Sequence, residues 1–191
     1  MGQYFKIVFL SDNGEFIRAY ISPRSYDGGS KLMEHSWIGS AVLKIVEMLL
    51  SPQGMFYKSR IVWAGDYAEP EKNYVASDDD GTGNLYYITD NYPCKELTRY
   101  NLTHPVSPDF DPYIADLRYI ANHTKRLYVD KHRSDDKETD FIIHPLPLLT
   151  YDGEQAYYGS NEQLCCTWAR DVISMETQAP EEYTELICNF K

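Results

Sequence analysis

The pattern of apolar and polar positions is clearest between residues 31 and 67, KLMEHSWIGSAVLKIVEMLLSPQGMFYKSRIVWAGDY. Apolar residues at 38, 41, 42, 45, 46 and 49 follow the i, i+3, i+4, i+7 spacing of one helical face. The spacing predicts a helix over Trp37–Leu50, packing through Ile38, Val42, Ile45 and Leu49, with Lys44 and Glu47 on the opposite side. Ser36 stands where an N-cap belongs, and Ser51-Pro52 stops the helix because proline disfavours helical geometry in the residue before it. Arg60–Ala64, β-branched and aromatic, reads as the receiving strand, ended by Gly65-Asp66.

The rest of the chain is mostly strand-like. Gln3–Leu10 and Glu15–Ile21 form a hairpin pattern around Asn13-Gly14, a pair suited to tight turns. Lys31–His35 reads as a short strand leading into the helix. Leu117–Asn122 and Arg126–Lys131 make a second hairpin pattern. Phe141–Thr150 reads as an edge strand, since Pro145 and Pro147 cannot donate to a ladder. Leu164–Ala169, Val172–Thr177 and Tyr183–Phe190 complete the set. Ala68–Asp116 breaks the pattern with five of the ten prolines and one strand-like run, Leu85–Thr89. It reads as an insertion or long irregular excursion within a single domain spanning 1–191. The expected fold is α+β, an antiparallel sheet of about seven to nine strands with one main helix packed on one face.

Composition sharpens this picture in two respects. Tyrosine supplies 17 of the aromatics, against 7 Phe and 3 Trp, which suits half-buried sheet positions and binding surfaces. The 29 acidic and 18 basic side chains leave a net charge of −11, which argues against direct binding of duplex nucleic acid. No run is long enough to span a membrane, and the N-terminal apolar run is too short for a signal peptide, so a cytoplasmic protein is expected. The four cysteines show no zinc spacing and read as reduced thiols.

Several clusters carry candidate chemistry. Glu34, His35, Trp37, Trp63, Asp66 and Tyr67 flank the helix ends, and an imidazole beside a carboxylate suits general acid–base work. The competing reading is a hydrogen-bonded histidine at a helix start and an aspartate capping a turn. Asp78, Asp80 and Thr82 match positions 1, 3 and 5 of a calcium loop, with Gly83 at the turn and Asn84 completing the set. Thr89 stands where that loop wants a glutamate, so an acidic turn is the alternative and calcium the one exception to an expectation of no cofactor. Trp168, Arg170 and Asp171 combine a ring, a cation and an anion: an anion clamp or a strand-end pair. The second hairpin is locally basic: Arg118, Lys125, Arg126, Lys131 and Arg133 against Asp130 give five minus one, or +4. With Asn122 it could hold a nucleotide phosphate, or form an outward face balanced by the acids that follow.

Six segments together resemble an uncharacterised protein family of bacterial genomes, prophages and phages: MGQYFK at the start, KLMEHSW from Lys31, IVWAGDYA from Ile61, NHTK from Asn122, HPLPLLT from His144 and WARDVIS from Trp168. Residues 68–116 lie outside the resemblance, and Asp152–Ser160 stands where the family is glycine-rich. The resemblance implies a cytoplasmic protein of a bacterial host and assigns no activity; small phage accessory proteins often antagonise host defence. The expected function is a non-enzymatic acidic binder that inhibits a host defence effector, an anti-CRISPR candidate. In one form its acids occupy the partner's nucleic-acid groove; in the other its basic hairpin sequesters a nucleotide signal. The alternative is a metal-dependent hydrolase or nuclease using His35, Asp66 and the Asp78–Asn84 loop.

Overall fold

β1 (Phe5–Leu10) is buried at all six positions, which requires cover on both faces of the sheet. The computed structural model describes residues 2–72, 83–91, 94–98, 114–133 and 142–191. β1 turns at Gly14 (φ +78) into β2 (Ile17–Ile21) and pairs on its other side with β3 (Ser59–Gly65), both antiparallel. β5 (Tyr119–Asn122) and β6 (Leu127–Asp130) form the second hairpin, and β8 (Val172–Glu176) joins it to β3. β4 (Lys95–Glu96) extends β2, β7 (Tyr151–Asp152) lies beside the end of β3, and β9 (Thr184–Glu185) edges β6. The order is β4-β2-β1-β3-β8-β5-β6-β9, with β7 off that path.

The architecture is α+β, and its sheet is mixed rather than purely antiparallel. The six long strands pair antiparallel; the three two-residue strands β4, β7 and β9 all add in parallel. These short additions arrive after long connections, where hairpin geometry does not impose direction.

Among the described residues the helices are several and short, and the helix Leu85–Asn91 shares the cover with those on the opposite face. The predicted Trp37–Leu50 helix begins only at Ala41: α2 is Ala41–Leu50, capped by Ser40, whose Oγ accepts from Leu43 N–H at 3.3 Å. Gly39 at φ +88 ends helical geometry there, and Trp37 bridges Ile143 instead. Ser36 therefore belongs to α1 (Leu32–His35), donating to Leu32 O at 2.6 Å, and Lys31–His35 is no strand. Glu47 is buried rather than on an outward side.

Leu85–Thr89 is likewise helical, within α3 (Leu85–Asn91). Its Tyr, Ile and Thr favour strands, but Leu85, Ile88 and Thr89 bury one helical stripe against the sheet. Pro145 is a helix N1 residue rather than an edge-strand proline: α4 is Pro145–Thr150, capped by His144. Leu164–Ala169 forms turns, not a strand.

Alternation along the strands separates two cores. Phe5, Ile7, Phe9, Ile61, Trp63, Ile120, Ile173 and Met175 face α2 and α4. Val8, Leu10, Ile17, Val62 and Ala64 face Leu85 and Ile88 of α3. Lys6 shares that second face: its ammonium donates to Tyr86 O at 3.0 Å, Thr89 Oγ1 at 2.9 Å and Asp90 Oδ1 at 2.6 Å. The described part of the 68–116 segment thus completes the sheet's cover.

Candidate functional site

His35 sits fully buried at the end of α1, where Trp63 of β3 meets it. Trp63 Nε1–H donates to His35 Nε2 at 3.1 Å. An indole only donates, so Nε2 is the unprotonated nitrogen and Nδ1–H donates to Gly29 O at 2.8 Å. Burial lowers its pKa to about 4. Both nitrogens are spent within the protein, which leaves neither for a substrate proton.

The other residues of that cluster hold backbone. Asp66 Oδ1 accepts from Tyr4 N–H at 3.0 Å, and Glu34 Oε2 from Lys31 N–H at 3.0 Å. Trp37 is half-buried at its bridge, while Tyr67 remains exposed. Together they brace the start of β1 against the end of β3. The geometry brings His35 and Trp63 into contact, with Asp66 and Glu34 engaged elsewhere.

Asp78, Asp80 and Thr82 lie outside the described residues. Asn84 is described, and its side chain is committed: Nδ2 donates to Asp66 O and Ala68 O at 3.2 and 3.1 Å, and Oδ1 accepts from Tyr87 N–H at 3.2 Å. It caps the start of α3. Among the described residues, no three His, Cys, Asp or Glu side chains are grouped to hold a metal ion.

The basic hairpin and the Trp168–Asp171 segment come together. Asn122 Nδ2 donates to Asp171 Oδ2 at 2.7 Å, Lys125 Nζ contacts the same oxygen, and Lys125 N–H donates to Asn122 Oδ1 at 2.9 Å. Arg118 grips Asp130 through two bonds of 3.0 and 2.7 Å. Arg126 pairs with Glu182 at 2.7 Å, Arg133 with Glu185, and Lys131 with Glu47. All five cations of the hairpin therefore already hold carboxylates. Arg170 does the same with Asp152 and Glu71; burial opposes its charge, and the two acids outweigh it and raise its pKa. Trp168 is a core residue, 1 % exposed.

Two polar constellations escaped the sequence reading. Lys131, Glu47 and His144 form a buried triad, with His144 Nε2 2.9 Å from Glu47 Oε1 and His144 Nδ1 accepting from Leu146 N–H at 3.1 Å. Burial opposes the Glu47 charge, but the His144 bond and the Lys131 ammonium outweigh it and hold the carboxyl below its usual range. His144, fully buried, is kept neutral and donates through Nε2. A lone Glu in a helix apolar at all but one other position was the available signal, because a buried charge must be paired.

The second constellation is a chain of side chains along β8 and beside the end of β5. Tyr57 and Ser174 both donate to Glu176 Oε1, at 3.0 and 2.6 Å. Ser174 Oγ, its proton so used, accepts from His123 Nε2 at 2.7 Å, and His123 Nδ1 accepts from Tyr183 O–H at 2.8 Å. The serine–histidine contact has nucleophile–base length, but its proton order is reversed: the imidazole donates to the serine. Ser174 is also fully buried. As arranged, the pair fixes the sheet face and does not activate a nucleophile.

No family model matches the chain, and no curated protein or solved structure matches it either. Among the described residues, no helix is long and apolar enough to cross a membrane.

Proposed function

We propose that this chain is a non-enzymatic binding protein that presents carboxylates to a cationic groove of a protein partner, of the kind that otherwise holds nucleic acid. The observation that supports it best is the pairing of the basic hairpin. Pairing leaves the net charge unchanged, so the excess of 29 acids over 18 cations, eleven negative charges, remains. A surface so charged attracts and steers toward cationic proteins.

The nucleotide-sequestering form has less support, because phosphate would have to displace Asp171 from Lys125 and Glu182 from Arg126. The hydrolase reading loses its base, since His35 and His123 both have their ring nitrogens bonded internally. The phage-type resemblance makes a host defence effector, such as an RNA-guided nuclease, the partner to try first.

Capture from a bacterial extract tests the choice between forms. Neutralising Asp78, Asp79 and Asp80 to Asn should release the captured partner, while Lys125→Ala/Arg126→Ala should retain it. The opposite pattern, with a nucleotide co-purifying, would favour sequestration.

A further inference from the structure

We propose that a cleft at the junction of β1, α1 and the loop after β7 binds a neutral planar heterocycle of the nucleobase type, through the amide of Gln3. The cleft has a volume of about 380 Å³, with Phe5, Leu32 and Ala156 as its apolar floor. That size lies within the roughly 300–1,000 Å³ of small-molecule sites.

Gln3 lines this cleft, yet it is only 9 % exposed, and neither Nε2 nor Oε1 has a hydrogen-bond partner among the described residues. Leaving such a group unsatisfied costs about 1–3 kcal/mol. The amide has been given room: it lies over Gly65 and Gly153, where a Cβ would come within 2.1 and 2.0 Å of Nε2. Binding in the cleft requires the side chain to rotate its amide off these glycines and toward the occupant.

The rim specifies what that occupant is. Met33, Tyr67 and Tyr158, three of the seven large apolar side chains exposed among the described residues, all line the cleft. Tyrosine faces and a thioether are stacking surfaces for a flat ring. A glutamine amide offers a donor beside an acceptor, the arrangement that reads the adjacent donor and acceptor on a base edge. The charged rim residues are one cation and one anion, Lys31 and Glu154, and Lys31 also lies 4.0 Å from Glu34. No cationic cluster selects phosphate, so the ligand is a base or nucleoside rather than a nucleotide. The net charge of −11 favours a free ligand over a base within a nucleic-acid strand.

The walls are held still. Phe5 N–H donates to Ser30 O at 2.8 Å, Asp66 N–H to Tyr4 O at 3.0 Å, and His35 ties α1 to Trp63. Such anchoring lowers the ordering cost of binding.

Titration of the full chain with adenosine, guanosine, cytidine and uridine, followed by ligand-observed NMR and calorimetry, tests this. At least one nucleoside should bind with Kd below about 1 mM. Tyr158→Ala, at the exposed rim, should weaken it roughly fivefold or more, and Gln3→Met about tenfold. A 5′-phosphate should not tighten binding. The proposal is overturned if no nucleoside binds, or if binding survives both substitutions. It is equally overturned if Gln3→Met lowers thermal stability in a protein that binds none, the mark of an amide already satisfied by ordered water. Should Gln3→Met fail to fold, Tyr158→Ala decides alone.

Discussion

Protonating His35 breaks one of its two buried bonds, because Nε2 must then face the Trp63 N–H as a second donor. With a folded pKa of about 4 against about 6.5 unfolded, the unfolded chain binds more protons between those values. Stability from this residue is complete above about pH 6.5 and is lost as pH falls toward 4, about 3 kcal/mol in all. Comparing the melting temperatures of wild type and His35→Gln across that range checks it. The difference between the two should shrink steadily with acidification, and a constant difference would contradict the assignment. Lys131→Met strands the buried Glu47 charge and should cost about 3–5 kcal/mol in urea unfolding. Lys131→Met/Glu47→Gln should recover part of that loss; equal losses would show that the pair is not coupled. At this scale the sequence placed His35 in one cluster with Trp63, and Asn122 with Lys125, while Asp171 stood in a separate one. The pairing of Lys131 with Glu47 was not legible, since they stand 84 positions apart and no local spacing announces such a contact.

Helix α2 shows how far periodicity reaches. Val42, Ile45 and Leu49 are buried as their spacing predicts, but Gly39 and Ser40 set the start four residues later than the apolar pattern alone. Leu49→Ala should therefore cost about 2–5 kcal/mol, and a loss under about half a kcal/mol would contradict the packing. The α3 helix defeated the same reasoning for a physical reason. Tyr86, Tyr87, Ile88 and Thr89 favour a strand locally, and only docking on Val8, Leu10 and Val62 makes the helical stripe pay. Lys6 closes that docking through three bonds to α3, at Tyr86, Thr89 and Asp90. Lys6→Met should speed hydrogen exchange of the Leu85–Asp90 amides by roughly tenfold or more, while β1 and β3 keep their protection. Uniform acceleration would mean that α3 does not open separately.

Across the whole molecule, the α+β class was legible because six strands and one helix carried clear periods. The parallel additions β4, β7 and β9 were not, being two residues each and fixed by tertiary approach. Charge was legible only as a sum. The local excess on the hairpin read either as a surface for anions or as an outward face balanced by nearby acids, and the fold sets those same cations against Asp130, Asp171, Glu182, Glu47 and Glu185, burying only Lys131. The most direct measurement is competition: a captured partner, held on immobilised wild-type protein, is challenged with duplex DNA at fixed ionic strength. If carboxylates occupy a nucleic-acid groove, DNA displaces the partner, and rising salt weakens the complex in step with the phosphates it imitates. A partner that stays bound under excess DNA, with an affinity indifferent to salt, would contradict the account.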